Sequence, residues 1–455
     1  MNMPQSVQCE AQRIWQKPVL ALVACTLLFP GPGQAQQQTD STGRESVTID
    51  EVVVTDSKIP QPQESVTQKV SLVYAEEMDS RSATNRNLTE LFKYEGGQFV
   101  NPLSRNDANW GSYGGLGPKY NSYLLDGLPV DSFVDTMSLD PWAFDRAELH
   151  KGPASMLYAN YLTMDFAGNQ APLAGTTNLI LKERIDEPGS RIMAGYGSWN
   201  TYNAKLYHQG CKDNLHYFFG AGHEDADYTN YGTTPSWLNM LDDPEYQKTK
   251  VYGKVSYFFS PASRVSLFAH HTSHDGDAGR PNRDYNLDYD TVNLDWLNQF
   301  NEALSLQVKA GYRGYDRNWS NDHYPDSLAL SDQGGVEQKI FPGDLTLSYK
   351  HNGNSVLTAG ADYQAAQYST YSETDGIRAV GNDVDALSYS LFAQEKWLLL
   401  DDRLVLRAGG RFNRTEHTYD MISGGVPGKD SQSWSKFLWS GGARWNLSPA
   451  LAVYA

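Results

Sequence analysis

The sequence is poor in cysteine and in basic residues, and it has no long hydrophobic run. Two of its 3 cysteines, Cys9 and Cys25, lie at the N-terminus, so Cys211 alone cannot form a disulfide framework or a cysteine-ligated metal site. A formal net charge of −17 disfavours a nucleic-acid partner, because a phosphate backbone requires a basic surface. The longest apolar run, Val19–Phe29, is about half of a membrane-spanning helix, which excludes a helical membrane protein.

A membrane β-barrel is compatible with this composition, because its outward apolar residues alternate along each strand with inward polar ones. Catalysis is not indicated, since the sequence has no nucleophile motif, phosphate-binding loop, zinc-binding helix pair or dinucleotide fingerprint. The sequence therefore predicts a protein that is not an enzyme.

The first 35 residues have the order of an export signal. Arg13 and Lys17 precede the apolar run, which is followed by small and turn residues that end at Ala35. This order predicts a signal peptide over residues 1–35. Leu22–Cys25 also fits a lipoprotein cleavage site, but Thr26–Phe29 continues the apolar run beyond the cysteine and favours ordinary cleavage.

The next 150 residues or so indicate a flexible lead-in, an extended segment and a mixed α/β domain. Residues 36–46 are polar and predict a flexible lead-in, residues 47–56 are rich in valine, and residues 57–185 form the predicted domain. Its predicted elements are a strand at Val70–Val73, a helix at Asn87–Tyr94, a hairpin at Tyr123–Val130 and strands at Ala147–Leu149 and Thr177–Leu181.

Residues 186–455 alternate between apolar and polar positions in runs long enough to cross a bilayer as tilted strands. In Lys436–Leu447, for example, Phe437, Trp439 and Trp445 share one face. The twelve predicted strands lie near residues 190–198, 201–209, 214–224, 249–259, 263–272, 290–300, 303–316, 340–351, 354–367, 386–398, 402–415 and 433–447.

The connections between these strands are asymmetric. Short turns such as Ser260–Ala262 alternate with long polar loops, which are predicted at Asp225–Lys248, Ser273–Tyr289, Arg317–Lys339, Tyr368–Asp385 and Glu416–Gln432. This asymmetry is typical of an outer-membrane barrel. A soluble all-β protein is the alternative, but its strands average about five or six residues, and these are longer.

Five stretches in order resemble motifs of the TonB-dependent outer-membrane receptors. Asp50–Thr55 is similar to the energy-coupling box and Asn87–Phe92 to the first plug helix. Tyr123–Val130 is similar to the central plug hairpin, and Glu148–Tyr158 to the most recognisable stretch of the plug. Ala174–Lys182 is similar to the last plug strand. The resemblance covers residues 47–455 and implies a mainly β fold, with an N-terminal α/β plug domain inside an antiparallel transmembrane β-barrel.

The resemblance also implies roles for particular residues. The segment expected to couple to the periplasmic TonB protein comprises Ile49, Asp50, Glu51, Val52, Val53, Val54 and Thr55. An extended valine-rich segment can add as a strand to a partner's sheet, although Val52–Val54 could equally be an edge strand of the plug. The plug-motif residues are Asp126, Gly127, Glu148, Lys151, Gly152 and Pro153.

Ligand-facing and metal-binding candidates are less specific. The aromatic candidates for ligand contact are Trp110, Tyr113, Tyr120, Trp237 and Trp319, and loop aromatics could equally serve as membrane-interface anchors. His270, His274, Asp275 and Asp277 are the weak metal candidates, with His274 and the aspartates expected in the loop after a strand, where a solvated acidic loop is the alternative.

The implied function is active uptake of a scarce metal complex, for which an iron–siderophore is the expected cargo and cobalamin or a copper complex the alternative. The expected partners are TonB, the metal chelate and outer-membrane lipid, with no permanent cofactor, and a monomer is expected. A passive porin or adhesin-like barrel and a signalling receptor are the other classes.

Chain length sets one further expectation. The twelve strands use about 270 residues, whereas a plug-filled barrel of this kind needs about 22 strands. Leu451–Ala455 begins a thirteenth strand. The sequence therefore predicts a C-terminally truncated or partial receptor, of which a non-functional fragment is one version.

Overall fold

The computed structural model describes a thirteen-stranded sheet, a five-stranded sheet, two two-stranded sheets and the short elements around them. The described residues are 53–55, 58–81, 88–101, 110–113, 115–116, 120–131, 138–152, 157–159, 162, 173–227, 245–277, 284–320, 332–352, 355–421, 430–448 and 451–454. Within these ranges, no helix has both the length and the apolar character needed to cross a bilayer. The predicted signal peptide (1–35) and lead-in (36–46) lie outside the described residues.

The N-terminal domain is a small α/β unit with short elements. Its strands are β1 (Val53–Val54), β2 (Gln61–Pro62), β3 (Val70–Tyr74), β4 (Gln98–Asn101), β5 (Trp110–Tyr113), β6 (Asn121–Leu125), β7 (Leu128–Val130), β8 (Phe144–Lys151) and β9 (Gly175–Leu181). Its helices are α1 (Ala75–Ser80) and 3-10 turns at Gln63–Ser65, Leu88–Phe92 and Pro141–Ala143. Five of the strands form one sheet in the order β3-β8-β9-β6-β7.

The β6–β7 hairpin follows from its two turn residues. Asp126 and Gly127 have φ angles of 49° and 82°, the pair of positive values that a two-residue hairpin turn requires. β6 also pairs in parallel with β9, so the hairpin is fixed to the middle of the sheet. The predicted hairpin is therefore confirmed, and it lies beside the last strand of the domain.

The core of this domain is apolar and fully buried. Phe92, Leu125, Phe144 and Leu179 are each completely buried in one cluster. The same cluster includes aromatic side chains of the larger sheet, among them Phe268, which is 1% exposed. The core of the small domain thus continues into one side of the surrounding sheet.

The second sheet has thirteen antiparallel strands in sequence order, as a continuous meander. They are β10 (Gly189–Gly197), β11 (Thr201–Lys212), β12 (Leu215–Ala226), β13 (Tyr246–Ser260), β14 (Ser263–Asp277), β15 (Asp284–Gln299), β16 (Leu304–Ser320), β17 (Gln333–His351), β18 (Ser355–Thr374), β19 (Ile377–Leu399), β20 (Leu404–Met421), β21 (Ser431–Ser448) and β22 (Leu451–Tyr454). All twelve predicted strands and the beginning of a thirteenth are confirmed.

Strand β13 shows the alternation between an exposed face with apolar residues and a buried face that carries charged ones. On β13, Val251 and Val255 are 54% and 49% exposed, whereas Lys250 and Lys254 are 4% and 3% exposed. Alternate residues of a strand point to opposite faces, so the exposed valines form an outer surface suited to lipid. The buried lysines point towards the small domain.

The larger sheet curves around the small domain. Inward side chains from widely separated strands reach its backbone: Lys250 on β13 contacts the Leu139 carbonyl at 3.2 Å, and Arg444 on β21 contacts the Gln63 carbonyl at 2.7 Å. Contacts from strands this far apart in the sheet place the small domain on its concave side. The predicted architecture, a plug domain within an antiparallel barrel sheet, is confirmed.

The type or the bounds of some predicted elements were wrong. The predicted helix at Asn87–Tyr94 is a 3-10 helix over Leu88–Phe92. The predicted loop at Tyr368–Asp385 is instead strand, because β18 and β19 continue to a two-residue turn at Asp375–Gly376. Beyond the lipid band both faces of a strand can be polar, so the ladder continues where the alternation of apolar residues stops.

We expect the Leu125→Ala substitution to destabilise the small domain by about 2–5 kcal/mol, because it opens a cavity in a closed core. Leu125 is fully buried, whereas Leu116 of the same domain is 43% exposed and provides a matched Leu→Ala control. Hydrogen exchange of the β6 amides measures the effect. Equal losses of protection in the two variants would contradict the assignment of the core.

Candidate functional site

The N-terminal stem, which we define as residues 53–55 and 58–65, lies where the small domain meets the larger sheet. Its two strands pair antiparallel, with Val53 opposite Pro62 and Val54 opposite Gln61. The stem thus folds back on itself as a minimal hairpin. The predicted coupling residues Ile49–Val52 lie outside the described residues.

Thr55 is the point at which the first strand of the stem is attached to the small domain. Its backbone N–H donates to Glu148 Oε2 at 2.9 Å, and its hydroxyl donates to the same oxygen. Asn178 Nδ2 donates to the Thr55 hydroxyl oxygen at 2.7 Å, and the Tyr158 hydroxyl donates to the Thr55 carbonyl. Four hydrogen bonds therefore hold one residue at the end of the predicted coupling segment.

Glu148 is a buried carboxylate that is fully paired. Arg146 donates to Glu148 Oε1 from Nη2 at 2.8 Å and from Nε at 3.0 Å, and His150 Nε2 lies 3.4 Å from Oε2. Burial by itself would raise the pKa of Glu148, but His150, Arg146 and the bond from Thr55 together lower it below its ordinary value. Thr55 is therefore bound to a carboxylate that is charged at neutral pH.

Lys58 fixes the stem to the larger sheet. Its ammonium group forms an ion pair with Asp344 on β17, lies 3.8 Å from Asp362 on β18 and is 4.2 Å from the centroid of the Phe392 ring. Lys58 also has a φ of 61°, which is unusual for a residue other than glycine. The backbone at this position is strained, and the buried ion pair holds it in place.

Further side chains of the sheet hold the rest of the stem. Lys396 on β19 donates to the side-chain oxygen of Gln61 and, at 3.0 Å, to the Ser65 hydroxyl. Arg444 on β21 donates to the Gln63 carbonyl at 2.7 Å. The stem is therefore attached mainly through polar side chains rather than through an apolar core.

Asp362 belongs to a larger buried network. Arg411 on β20 donates to both of its carboxylate oxygens, each at 2.8 Å, and also to the Leu157 carbonyl at 3.3 Å. A bidentate arginine of this kind has fixed geometry. The network links the wall of the sheet to both Lys58 and the small domain.

The predicted motif residues Asp126 and Gly127 form a second contact with the sheet. Lys254 on β13 lies 3.0 Å from Asp126 Oδ2, and Lys309 on β16 donates to the Asp126 carbonyl at 2.7 Å. The positive φ of Gly127 is what favours glycine in this turn, and the Lys309 ammonium lies close to it. Burial raises the pKa of Asp126 more than Lys254 lowers it.

Two further carboxylates of the N-terminal region are paired with cations of the sheet. Glu183 lies within 2.5 Å of Lys254 and 3.1 Å of Arg264, and Asp140 lies 2.7 Å from Lys205. Burial raises the pKa of each carboxyl, but the adjacent cations outweigh it and lower both values to about 2. Charge pairing therefore runs along the seam between small domain and sheet.

The other predicted motif residues serve the fold of the small domain. Gly152 has a φ of 94° and donates its N–H to the Ala174 carbonyl at 2.9 Å, while the Lys151 N–H donates to the Lys69 carbonyl at 3.1 Å. These bonds fix the turn after β8. Pro153 lies outside the described residues.

Of the aromatic ligand candidates, the structure describes the side chains of Tyr120 and Trp319, which belong to different parts of the fold. Tyr120 packs partly buried against the core of the small domain, and Trp319 lies near the end of β16 opposite Tyr285 in the ladder. Trp110 and Tyr113 end the short strand β5. Trp237 lies outside the described residues.

The metal candidates lie on different faces of one strand. His274, Asp275 and Asp277, predicted in a loop, are part of β14, so that prediction was wrong. His270 and His274 are 4% and 1% exposed on the inner face, whereas Asp275 accepts a bond from Gln247 in an exposed contact. Among the described residues, no group of three or more histidine, cysteine or acidic side chains could hold a metal ion.

The residues that sequence reasoning missed are those that hold the stem: Lys58, Asp344, Asp362 and Lys396. Asp344, Asp362 and Lys396 are inward positions of alternating strands, and this alternation was the signal in the sequence that they face the plug. The sequence does not indicate which residue each one contacts. Lys58 and Asp344, for example, are more than 280 positions apart, and their contact depends on the register of the strands. A single sequence does not specify such a pair.

Two family models match the chain. The TonB-dependent Receptor Plug Domain matches residues 62–161, and the model described as TonB dependent receptor-like, beta-barrel matches residues 224–455. The second match alone covers more than half of the chain. Together they correspond to most of the small domain and most of the larger sheet.

Solved structures share the fold at low sequence identity. BauA, the ferric preacinetobactin receptor from Acinetobacter baumannii, superposes with a TM-score of 0.69 at 13% identity over 88% of this chain and 65% of its own. The alcaligin receptor FauA from Bordetella pertussis superposes with a TM-score of 0.68 at 12% identity, over 87% of this chain and 63% of its own. The copper transporter OprC superposes with a TM-score of 0.63 at 17% identity, over 83% of this chain and 60% of its own. The chain thus spans somewhat less than two thirds of the length of these proteins.

The plug and barrel matches and the shared fold agree, and the chain belongs to the TonB-dependent receptors, a family of outer-membrane β-barrel transporters rather than enzymes.

Proposed function

We propose that the protein takes up a scarce metal chelate across the outer membrane, with an iron–siderophore as the cargo, and that residues 47–56 couple it to the periplasmic TonB protein. The cargo is suggested by the siderophore receptors among the proteins of the same fold. The copper transporter OprC makes a copper complex the second candidate. Cobalamin is a third candidate within the same family.

The observation that carries the coupling role is the attachment of Thr55. The segment that would be pulled ends at a residue held by four hydrogen bonds, all of them to side chains of the plug. Such bonds break one residue at a time and re-form without repacking an apolar core. A pull on residues 47–56 therefore acts first on Thr55 and then on the Lys58 ion pair.

We propose that the plug and the barrel region meet at residues 185 and 186. The plug comprises residues 57–185 and the barrel region begins at residue 186, close to the start of β10 at Gly189. The stem is joined to the sheet by charged side chains, whereas the five-stranded core of the plug is held by apolar packing. The stem is therefore easier to detach than the plug core.

Deletion of residues 47–56 should abolish energised uptake while leaving ligand binding at the cell surface intact. The measurement uses radiolabelled ferric hydroxamate and ferric catecholate complexes, cobalamin and Cu²⁺ with cells that express the protein. An equally long deletion of residues 37–46 is the control and should retain uptake. Uptake that persists without residues 47–56 would indicate a passive porin, and failure to bind any of these probes would refute the cargo assignment.

The Glu148→Gln substitution should loosen the stem, because a neutral amide pairs poorly with Arg146 and has a single oxygen, whereas the carboxylate uses Oε1 for Arg146 and Oε2 for Thr55. Lys58 is 8% exposed and should be protected from trypsin in the unmodified protein. We expect cleavage after Lys58 to become about tenfold faster, which corresponds to about 1.4 kcal/mol. Glu77→Gln, in an exposed pair with Arg81, is the control. Equal cleavage in both variants would exclude Glu148 as the anchor.

Acid should release Thr55 only when Glu148 becomes protonated. Because the pKa of Glu148 is lowered in the folded protein, its contribution is fully present above the pKa of the unfolded chain and is lost as pH falls through the lowered folded value. Hydrogen exchange of the Thr55 amide, corrected for intrinsic rates between about pH 7 and about pH 3, measures this. Protection lost near neutral pH would contradict it.

A further inference from the structure

A hollow lies on the outward face of strands β17 to β20, the face that points away from the plug. It has a volume of about 350 Å³. Its lining includes the apolar residues Phe341, Ala365 and Leu387 and the polar residues Gln367, Asp385 and Thr418. A volume of this size is within the range of pockets that hold small molecules. We call this space the outer hollow.

The floor of the outer hollow is apolar, because a small residue stands between two large ones. Ala365 is the ladder partner of Phe341 on one side and of Leu387 on the other. Its neighbour Ala366 and the neighbour of Leu387, Ala386, are 2% and 4% exposed on the inner face, so Ala365 and Leu387 point outward. Side chains directly opposite each other on neighbouring strands are about 5 Å apart. The methyl group of Ala365 therefore leaves a gap between the phenyl ring and the leucine side chain.

A polar row borders this floor, two residues further along each strand. Lys339 is the ladder partner of Gln367, Gln367 of Asp385, and Asp385 of Thr418. All four residues are exposed, and within the described part of the chain their side chains make no hydrogen bond or ion pair. Neighbouring strands are about 4.8 Å apart, so the row is about 14 Å wide. It offers one cation at its β17 end and hydrogen-bonding groups along the rest.

The border between floor and row is the edge of the lipid band on these strands. On β19 the outward positions are Leu391, Tyr389 and Leu387, followed by Asp385. Acyl chains meet the apolar positions, whereas the polar row is at the level of lipid headgroups. The short turn between β17 and β18 lies at the other end of these strands, and short turns of outer-membrane barrels are periplasmic. The row therefore faces the outer leaflet.

The chemistry of the row indicates the kind of headgroup. Lys339 can pair with a phosphate group, whereas the Asp385 carboxylate would repel one and accepts hydrogen bonds from hydroxyl groups. Gln367 and Thr418 can each donate to and accept from hydroxyl groups. A row that extends over four strands is also wider than a single phosphate with a small alcohol. These groups suit a sugar headgroup that carries phosphate.

We propose that the outer hollow binds a phosphorylated glycolipid of the outer leaflet, with an acyl chain over Ala365, a phosphate at Lys339 and sugar hydroxyls at Gln367, Asp385 and Thr418. This role is separate from the cargo and from coupling to TonB. The inner faces of the same four strands carry the side chains that hold the stem. A lipid bound to the folded sheet therefore stabilises the wall against which the stem packs.

The first test fills the hollow. Binding of fluorescently labelled lipid A, an acylated and phosphorylated glucosamine disaccharide, is measured with the purified full-length chain in detergent. Ala365→Phe should weaken binding by about tenfold or more, because the ring displaces part of the acyl chain from its apolar floor. Ala269→Phe is the matched control, since Ala269 points outward on β14 where apolar positions also give way to polar ones. Its affinity should stay within about twofold of the unmodified protein.

The second test addresses the headgroup. Lys339→Ala should weaken binding of lipid A by about threefold, the effect of one exposed charged contact, and should leave binding of dephosphorylated lipid A unchanged. Lys350→Ala, an exposed lysine near the other end of the same strand, is the control and should change neither affinity. Phosphatidylethanolamine, which has phosphate but no sugar, should bind at least about tenfold more weakly than lipid A.

Each result can overturn a part of the proposal. Equal affinities of the Ala365→Phe and Ala269→Phe variants would exclude the hollow as the site. An equal effect of Lys339→Ala on both forms of lipid A would exclude the phosphate contact, and equally tight binding of phosphatidylethanolamine would exclude a glycolipid. Thermal unfolding verifies that each variant is folded. Lys339→Ala changes only an exposed side chain, so it tests the site even if the phenylalanine variant does not fold.

Discussion

The hydrocarbon of a bilayer offers no hydrogen-bond partner to a peptide group, and the rest of this structure depends on that constraint. Strands β11 to β20 satisfy it by pairing with a neighbour in the sequence on each side. A pleated strand can present only alternate residues to lipid, so the remaining positions must face inward. A sheet of this length therefore brings many polar and charged side chains to its concave side, and the plug is what they meet.

The plug is held by two kinds of contact with different mechanical consequences. Its centre is an apolar core that extends to aromatic residues of the sheet such as Phe268. Its margins are held by paired charges, for example Asp140 with Lys205 and Glu183 with Arg264. When a charged pair separates, water can hydrate both charges, whereas apolar side chains that separate lose the free energy of burial. The margins of the plug can thus move while its centre stays in place.

Local patterns in the sequence predicted most of the strands and turns, but they did not predict the long-range contacts. The alternation in Lys436–Leu447 lies within β21, and the Asp-Gly pair formed the expected turn. The extension of strands into polar segments was missed, because outside the lipid no apolar residue marks a face. The attachment of Lys58 to Asp344 was also missed, since it depends on sheet curvature and register over the whole barrel region rather than on either local sequence.

The length of the β18–β19 hairpin has a consequence for what this protein presents to its surroundings. β19 has 23 residues and β18 has 20, joined by a turn of only two. At about 3.3 Å per residue and a tilt of about 40°, β19 rises about 57 Å along the membrane normal, whereas the hydrocarbon layer is about 30 Å thick. Some 20 Å or more of paired backbone therefore stands in the aqueous phase as a rigid arm. A particle that approaches the cell at this point meets an ordered protein edge before it meets the lipid surface.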